Sequence, residues 1–436
     1  MIKRLLIVFI TFSVSSSFAQ QRGTASPYSF FGIGSFTFEG TAENRAMGGI
    51  SFHTDSIHFN FRNPASYGGS NLFSSQNEEG RLVKFTVGGS SSNTNLSSDS
   101  GSFSTNATTF DYLGLSFPIG KLGIGLGLVP FTSVGYELEE NNDNGDLANR
   151  FTGSGGVNRV FVGAGYQITK DLSVGVDLKY SFGDITNNAI EFLFDGQGNP
   201  LQTQSREINN SDLVGFSYNL GVTYTPKITE NLQLSSAVTF TPESNLTSRN
   251  DRNLAIILVD PITGFESEGN QIDIDLDSLG LGETDFTLPS ILSVGLGVGK
   301  PKKWFAGAEF TSTQTSRFTN RTFDIDNVSF EDSNKIALGG YYIPNFNSFS
   351  YFQRVVYRAG LNYETTGLIV NGESIEEFGI SFGVGLPVGR FFSNANVTVE
   401  LGQRGTTNQN LVREQFVNLQ LSLSLNSRWF QRSKFR

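Results

Sequence analysis

The sequence predicts an all-β fold, a transmembrane antiparallel β-barrel of about fourteen strands with an N-terminal plug in its lumen. Two observations predict it: short segments in which apolar and polar residues alternate, and connectors that switch regularly between tight and long. In such a barrel each strand presents one face to lipid and the other to the lumen, with short turns at one end and long loops at the other. Function is therefore to be sought in a pore.

The last predicted strand shows the alternation most clearly. Over residues 417–425 every odd-numbered residue is apolar and every even-numbered residue is polar. The same period of two runs through residues 172–179 and 214–224. In residues 122–128 the partners of the apolar positions are glycines, so this face can approach a plug or a ligand closely. These glycines are Gly123, Gly125 and Gly127.

The predicted strand count is even, as expected for a single-chain bacterial barrel. The strands are 82–90, 108–117, 122–136, 157–169, 172–184, 206–225, 232–242, 288–299, 303–315, 332–343, 353–364, 376–388, 391–403 and 414–427. Short connectors such as Gly120-Lys121, Lys170-Asp171, Lys300-Pro301-Lys302 and Gly389-Arg390 are predicted to be periplasmic turns. The long polar connectors are predicted to be extracellular loops: 91–107, 137–156, 185–205, 243–287, 316–331, 365–375 and 404–413.

The N-terminus has the pattern of a secretory signal peptide. Lys3 and Arg4 precede an apolar run over residues 5–12, and cleavage is expected after Ala19, at the end of a predicted signal peptide spanning residues 1–19. No later apolar run has the length of a membrane helix. The chain has no cysteine, which argues against a lipoprotein anchor and a disulfide framework. We therefore expect the chain to lie in a Gram-negative outer membrane, inserted by its strands.

Composition narrows the function classes further. The formal charge of -10 argues against a nucleic-acid partner and suits acidic exposed loops. The 40 phenylalanines and 13 tyrosines suit aromatic girdles at the two membrane interfaces and an apolar lumen. A soluble β-sandwich with a Phe-rich core is the alternative. The regular short and long connectors and the length of 436 residues favour the barrel.

Residues 20–81, called here the hatch segment, do not alternate and precede the first strand. Their many aromatic side chains would be poorly solvated in water, and burial in the lumen removes that cost. The sequence thus predicts a hatch at 20–81, a barrel at 82–427 and a periplasmic tail at 428–436. Four aromatic residues could line a ligand pocket or simply pack the plug against the wall: Phe30, Phe31, Phe36 and Phe38.

The hatch segment also carries a family resemblance. Its order of Ala46-x-Gly48-Gly49, Asp55, Phe59 and Asn63-Pro64-Ala65 resembles the N-terminal hatch of FadL-type outer-membrane transporters of long-chain fatty acids and aromatic hydrocarbons. Residues 288–296 with Trp304, and residues 357–363, resemble two later strands of that family. The resemblance implies a fourteen-stranded barrel with a hatch formed by Gly48, Gly49, Asn63, Pro64 and Ala65. It also implies a small hydrophobic ligand.

Pro130 lies inside the third predicted strand, where a residue without an N–H disrupts a sheet. In FadL-type proteins the matching strand kinks inward and leaves a lateral opening for apolar cargo. The resemblance therefore implies such an opening at Gly123, Gly125, Gly127, Pro130 and Phe131. The alternative is that the strand ends near Val129 and Pro130 starts the following loop. Asn63-Pro64 likewise has a plain interpretation, since Asn-Pro starts turns through side-chain capping.

The only two histidines, His53 and His58, flank Asp55 and raise the question of a metal site or a general base. Alternate positions in a short strand would place His53 and Asp55 on one face and His58 on the other. The acidic residues of the longest loop, Asp273, Asp275 and Asp277, lack the glycine and the glutamate of a calcium loop. We expect no enzyme activity, no cofactor and no metal.

Two functions remain. The first is an outer-membrane channel for passive uptake of small hydrophobic molecules through a plugged lumen with a lateral opening, surrounded by outer-membrane lipids. The alternative is a non-transporting FadL-like barrel that acts as an accessory or structural subunit of an outer-membrane secretion or assembly complex, with protein partners. The polar loops favour the alternative. So does the basic tail beyond Trp429-Phe430, because many outer-membrane barrels end on an aromatic residue.

Overall fold

The computed structural model describes residues 23–55, 57–68, 82–142, 144–198, 201–259, 266–318, 327–388 and 393–427. Its one short α-helix, α1, is Ala42–Arg45, and single 3₁₀ turns lie at Pro27–Phe30, Pro64–Ser66, Thr315–Arg317 and Asn408–Asn410. The strands are β1 Ser35–Phe36, β2 Val83–Ser98, β3 Gly101–Ile119, β4 Leu122–Pro130, β5 Thr132–Asn141, β6 Leu147–Gln167, β7 Leu172–Glu191, β8 Thr203–Tyr224, β9 Gln233–Thr241, β10 Ser244–Val259, β11 Glu266–Ile274, β12 Glu283–Leu288, β13 Ile291–Lys300, β14 Trp304–Thr313, β15 Val328–Phe330, β16 Ser333–Tyr342, β17 Val356–Val370, β18 Glu373–Pro387, β19 Asn394–Arg404 and β20 Arg413–Ser427.

The predicted fourteen-stranded antiparallel barrel is confirmed. The ring closes because β2 pairs with both β3 and β20. Three wall strands are composite, each built from two consecutive pieces: β4 with β5, β9 with β10, and β12 with β13. β1 belongs to the hatch segment, and β11 and β15 pair outside the ring on β10 and β17. The barrel places the chain in the outer membrane.

β20 shows why this sequence forms a barrel strand. Val417, Leu419, Leu421 and Leu423 lie on its outer face, where lipid surrounds them, and are each between 40% and 54% exposed. Gln420 and Ser424 on the other face are buried in the lumen. Because one face meets hydrocarbon and the other meets polar groups, a shift of one residue would move every side chain to the wrong medium. The alternation thus fixes the register with β19 and β2.

The predicted extents of the strands were too short at the end where long loops were expected. The predicted loop 91–107 is largely strand, since β2 and β3 stay paired up to Ser98 opposite Gly101. The predicted loop 243–287 contains β10, β11 and most of β12. Above the membrane both faces of a strand meet water, so alternation vanishes although backbone pairing continues. The apolar residues 254–259, which lie within that predicted loop, belong to β10.

Two predicted strands are interrupted at prolines. Residues 288–299 were predicted as one strand, but β12 ends at Leu288 and β13 begins at Ile291, on either side of Pro289. Residues 122–136 are likewise divided, since β4 ends at Pro130 and β5 begins at Thr132. A residue without an N–H cannot continue a ladder on both sides, which explains both interruptions.

Several sequence expectations lie outside the described residues. These are the signal peptide 1–19, the turn Gly389-Arg390, residues 69–81 of the hatch segment and the tail 428–436 with Trp429-Phe430. The domain boundaries therefore stay predictions. Within the described ranges, no helix combines the length and apolar character needed to cross a membrane.

Candidate functional site in the lumen

The hatch segment turns sharply at Asn63-Pro64, as the capping interpretation predicts. The Asn63 side-chain oxygen accepts a hydrogen bond from the N–H of Ala65 at 3.1 Å and so caps the 3₁₀ turn Pro64–Ser66. Its amide donates to Thr223 of β8 at 2.8 Å. Gly175 of β7 lies against Pro64, because a Cβ there would come 2.4 Å from the proline carbonyl carbon. The turn is therefore seated on the inner face of the wall.

A second contact of the hatch with the wall is made through backbone. Gly48 has φ +70°, a conformation that favours glycine, and its N–H donates to Ser381 Oγ at 3.0 Å. A Cβ on Gly48 would lie 2.5 Å from the carbonyl oxygen of Leu361 on β17. Gly49 follows with φ +89° beside the ring of Phe38. The Gly48-Gly49 pair thus lets the hatch backbone lie directly on the wall.

The glycine face of β4 is also occupied by the hatch. A Cβ on Gly123 would lie 1.8 Å from the Tyr67 carbonyl oxygen, and one on Gly125 would lie 2.7 Å from the Tyr67 ring. The third glycine, Gly127, faces Phe161 of β6 instead. Close approach of a plug to this face is what the sequence predicts. The three glycines lie in β4 between its start at Leu122 and the interruption at Pro130, and they do not surround that interruption.

Buried carboxylates fasten the hatch at several points of the wall. Glu309 of β14 accepts hydrogen bonds from the N–H groups of Ser51 and Phe52 at 2.7 and 3.0 Å, and it pairs with Arg62 at 3.0 Å. Arg45 pairs with Glu400 of β19 at 3.3 Å. β14 and β19 are four wall strands apart, so these contacts fasten the hatch segment to two separate parts of the inner wall.

Glu43 adds a further contact on the β19 and β20 side. Its carboxylate accepts hydrogen bonds from Asn396 Nδ2 at 2.7 Å and from Ser424 Oγ at 2.8 Å. The helix α1 that carries it begins with a capping box between Thr41 and Asn44. The capping box and the hydrogen bonds of Glu43 hold α1 in one orientation, with the Glu43 carboxylate directed at the wall.

Glu39 connects the hatch to β6 and β7. Its two oxygens lie 2.6 Å from a terminal nitrogen of Arg159 and 3.5 Å from Lys179 Nζ. Burial alone would raise the pKa of Glu39, but the charges of Lys179 and Arg159 outweigh it and hold the pKa at about 2. The Arg159 guanidinium also lies 3.4 Å above the centre of the Phe131 ring. One carboxylate thus joins the hatch to β6 and β7, and Arg159 extends the contact to Phe131.

This geometry predicts that mild acid leaves the Glu39 contact intact. A carboxyl group whose folded pKa is depressed contributes stability above its ordinary pKa and loses it only as pH falls through the folded value. For Glu39 that loss is spread between its ordinary pKa of 4.5 and about pH 2. Protection of hatch amides against hydrogen exchange, corrected for intrinsic rates, is expected to be equal at neutral pH and about pH 5. Loss of protection of residues 35–39 within that interval would contradict the assignment.

The barrel wall is interrupted beside Pro130. Pairing of β3 with β4 ends at Leu113 opposite Leu128, whereas β4 continues along β6 to Pro130 opposite Asn158. β5 then follows β6 from Val134 opposite Gly155. In the described part of the chain, β3 between Gly101 and Tyr112 has ladder pairs with β2 alone. The interruption is called the seam.

The hatch supplies the pairing that β5 lacks at the seam. In β1, Ser35 lies opposite Ser133 and Phe36 opposite Thr132. The N–H of Thr37 donates to the Phe131 carbonyl at 3.0 Å, and its hydroxyl donates to the Pro130 carbonyl at 2.6 Å. Backbone groups that would be costly to leave unpaired are thereby satisfied from inside the barrel. β1 takes the place on β5 that a continuous wall would give to β3.

A cavity of about 830 Å³ opens next to the seam and reaches both β3 and β5. Its aromatic side is built on Phe36, whose ring lies 5.3 Å from Phe131 and 5.7 Å from Phe318. Phe31 and Phe38 also line it. Phe30 is not among the lining residues and packs on Tyr136 and Phe151. The structure thus places three of the four candidate aromatics at the cavity.

Much of the rest of the cavity wall is polar, although Leu288, Ile291, Leu368 and Ile375 also line it. Hydroxyl side chains line it on strands all round the ring, namely Ser90, Ser92, Thr94, Thr105, Thr108, Thr109, Thr239, Thr241, Ser293, Thr311, Thr313 and Thr366. Charged residues join them: Glu39, Arg45, Arg62, Asp111, Arg159, Lys179, Asp184, Lys335, Glu364, Glu377, Glu400, Arg404 and Glu414. Ligand pockets for apolar molecules are lined mostly by apolar groups. In this cavity apolar and polar groups line the wall together.

The expected separation of Asp55 from His58 is wrong. The described residues 51–55 and 57–63 form no strand, and the Asp55 side chain accepts hydrogen bonds from the N–H groups of Ile57 and His58. These bonds bring His58 Nδ1 to 2.5 Å from the other Asp55 oxygen. Burial lowers the pKa of His53 to about 4, so its ring is neutral beside Phe305. Among the described residues, no group of three or more His, Cys, Asp or Glu side chains is arranged to hold a metal.

The chain matches a known protein family in sequence and known transporters in fold. A family model described as BamG matches residues 1–436. No curated protein matches the sequence. Among solved structures, the toluene transporter TodX of Pseudomonas putida is similar with a TM-score of 0.56 and 17% identity, covering 90% of this chain and 98% of TodX. These neighbours are transport channels, not enzymes.

Two further structures show the same architecture. The toluene transporter TbuX of Ralstonia pickettii has a TM-score of 0.54 and 16% identity, with 89% of this chain and 98% of TbuX covered. A Pseudomonas aeruginosa FadL homologue has a TM-score of 0.55 and 13% identity, with 92% and 100% covered. At such identities the similarity establishes the FadL-type fold.

Proposed function

The chain belongs to the BamG family, and from that premise we propose that it is a FadL-type barrel serving as a subunit of an outer-membrane assembly complex. The family name points to an assembly-related role. The observation that carries the proposal is the fastening of the hatch by buried ion pairs on several sides of the ring. Removing one partner of a buried pair typically costs about 3–5 kcal/mol. A lumen closed in this way suits a scaffold.

The charged residues of the cavity support the same function. Charged groups line it beside the apolar ones, and they have no evident use for apolar cargo. A subunit of a complex needs a rigid barrel and partner surfaces rather than a continuous path. The hatch then acts as an internal brace.

Co-purification tests this function. An affinity-tagged chain extracted in mild detergent from its own cells is expected to carry a stoichiometric outer-membrane partner, and its depletion is expected to lower the amounts of other barrel proteins in the membrane. A tagged barrel of a FadL-type transporter from the same cells serves as the control. Recovery of a lone monomer, with other barrel proteins unchanged on depletion, would exclude the assembly role.

A second candidate function is passive uptake of small hydrophobic molecules, and the seam is the observation that favours it. The aromatic side of the cavity lies at Phe36 and Phe131, directly where β3 and β5 are not paired. Structural neighbours are described as toluene transporters. On this proposal cargo rests on the aromatic side and leaves through the seam when β1 detaches from β5. Pro130 and Phe131 then form the lateral opening.

A disulfide between hatch and wall tests that uptake path. Ser35 and Ser133 lie directly opposite each other in an antiparallel pair, a Cα separation of about 4.5–5.5 Å that a disulfide can bridge. Ser35→Cys with Ser133→Cys is expected to block uptake of labelled toluene or oleate when oxidised, and reduction is expected to restore it. Thr313→Cys with Ser333→Cys, which joins two wall strands, is the matched control. Equal uptake by the oxidised and reduced hatch pair would rule out movement of β1.

A further inference from the structure

The connector between β16 and β17, residues 343–355, is unusual for its end of the barrel. The other fully described connectors at this end, 120–121, 168–171, 225–232 and 301–303, have at most eight residues. This one carries four aromatic residues, Phe346, Phe349, Tyr351 and Phe352. Phe349 is fully exposed and Phe352 is 74% exposed. Water-exposed phenylalanines side by side indicate a surface that another medium or molecule covers.

Contacts within the connector locate it at the lipid-facing rim. Tyr342 and Tyr357 end the outer faces of β16 and β17 and lie opposite each other. The Tyr357 hydroxyl donates to the Phe352 carbonyl at 3.4 Å. The Tyr351 hydroxyl donates to the carbonyl of Pro387, the last residue of β18, at 3.2 Å. The connector therefore folds beside the outside of the barrel and is continuous with its lipid-facing surface.

Cations surround these rings. Lys302 Nζ lies 5.0 Å from the centre of the Phe346 ring, and Lys303 Nζ lies 5.1 Å from that of Tyr342. The Arg354 guanidinium carbon lies 5.8 Å from the Tyr351 ring. Residues 300–303 and 343–355 contain Lys300 as a fourth cation and no acidic residue, although the chain as a whole has a charge of -10. A basic, aromatic surface on an acidic protein selects for an anionic, partly apolar partner.

We propose that residues 343–355 form an interfacial anchor that inserts Phe349 and Phe352 among the phospholipids of the adjoining leaflet. Lys302, Lys303 and Arg354 bind the headgroup phosphates. A lipid surface fits better than a protein because the connector continues the lipid-facing rim. Aromatic rings with one polar end and basic side chains are also the groups that favour the boundary between hydrocarbon and water. By the pattern of short turns, this leaflet is the periplasmic one.

Fluorescence quenching by brominated lipid tests the anchor. The two native tryptophans are replaced by phenylalanine, Phe349→Trp is introduced, and the full barrel is reconstituted in bilayers. Its emission is expected to be blue-shifted and strongly quenched when the acyl chains carry bromine. Leu279→Trp, at a 61% exposed position near the opposite end, is the control and is expected to stay unquenched. Phe352→Trp gives the same readout if the first variant does not fold.

The cations are tested with brominated phosphatidylglycerol diluted in unlabelled phosphatidylcholine. Quenching of Phe349→Trp above the level given by the same fraction of brominated phosphatidylcholine is expected, and Lys302→Gln, Lys303→Gln and Arg354→Gln together are expected to abolish that excess. A red-shifted, unquenched Phe349→Trp emission in all bilayers would overturn the anchor. The anchor would also be overturned if the tryptophan of Phe349→Trp were shielded from water in native membranes alone, through contact with a protein partner.

Discussion

Replacing Glu39 by glutamine is expected to loosen the hatch at the seam by about 2–3 kcal/mol, at or just below the lower end of the range for breaking a buried ion pair. The lower end applies because a fifth of the Glu39 side chain remains exposed to the cavity. The substitution leaves the buried cations Arg159 and Lys179 without their carboxylate. Each then lacks the charge that compensated its desolvation. Since Glu39 follows β1 closely, the strand pairing of Ser35 with Ser133 should open more often.

The opening can be measured with a single thiol because the chain has no cysteine. A Ser35→Cys reporter is expected to react with a water-soluble maleimide about 30- to 150-fold faster in the Glu39→Gln background, if the reaction requires local opening. Glu283→Gln is the control, because its pair with Arg249 is exposed and is worth about 1 kcal/mol at most. Equal labelling rates in both backgrounds would show that Glu39 does not hold the hatch.

The parts of the fold that could be predicted from sequence are those that lipid dictates. Where β20 crosses the membrane, every second residue must be apolar. The position of the strand, and which of its side chains face lipid, can therefore be read directly from the sequence. Above the membrane that requirement ends. The polar stretch of β2 and β3 beyond Ser90 therefore resembled a loop, although its backbone groups pair without interruption. Prolines gave the remaining signal, since all three composite strands change a partner beside a proline, namely Pro130, Pro242 and Pro289.

The site could be predicted less completely because its contacts join distant parts of the chain. Lys179 was visible as a polar residue on a lumen-facing position, but its partner Glu39 depends on the path of the hatch. β1 has two residues, too few for any period to appear. Asp55 and His58 were misplaced because an aspartate that binds the backbone two and three residues ahead forms a turn. A strand period does not apply there.

Replacing Gly123 by alanine is expected to displace the hatch at its other end. The added Cβ would lie 1.8 Å from the Tyr67 carbonyl oxygen and 2.4 Å from its carbonyl carbon, so backbone must shift. Overpacking of this kind costs about 1–3 kcal/mol. A Ser66→Cys reporter should therefore label faster in the Gly123→Ala background, in proportion to the population of the unseated hatch.

Gly196→Ala is the matched control for Gly123→Ala, since an added Cβ there meets nothing within 4 Å. Both variants carry the same chemical change, and both reduce the conformational entropy of the unfolded chain similarly. The difference between the labelling rates of the two variants therefore isolates the contact with Tyr67. Slow labelling of Ser66→Cys in both variants would mean that the hatch adjusts to the wall without leaving it. If the hatch can leave the wall, labelling is expected to be faster in Gly123→Ala than in Gly196→Ala, because displacement of Tyr67 exposes the glycine face of β4 to water.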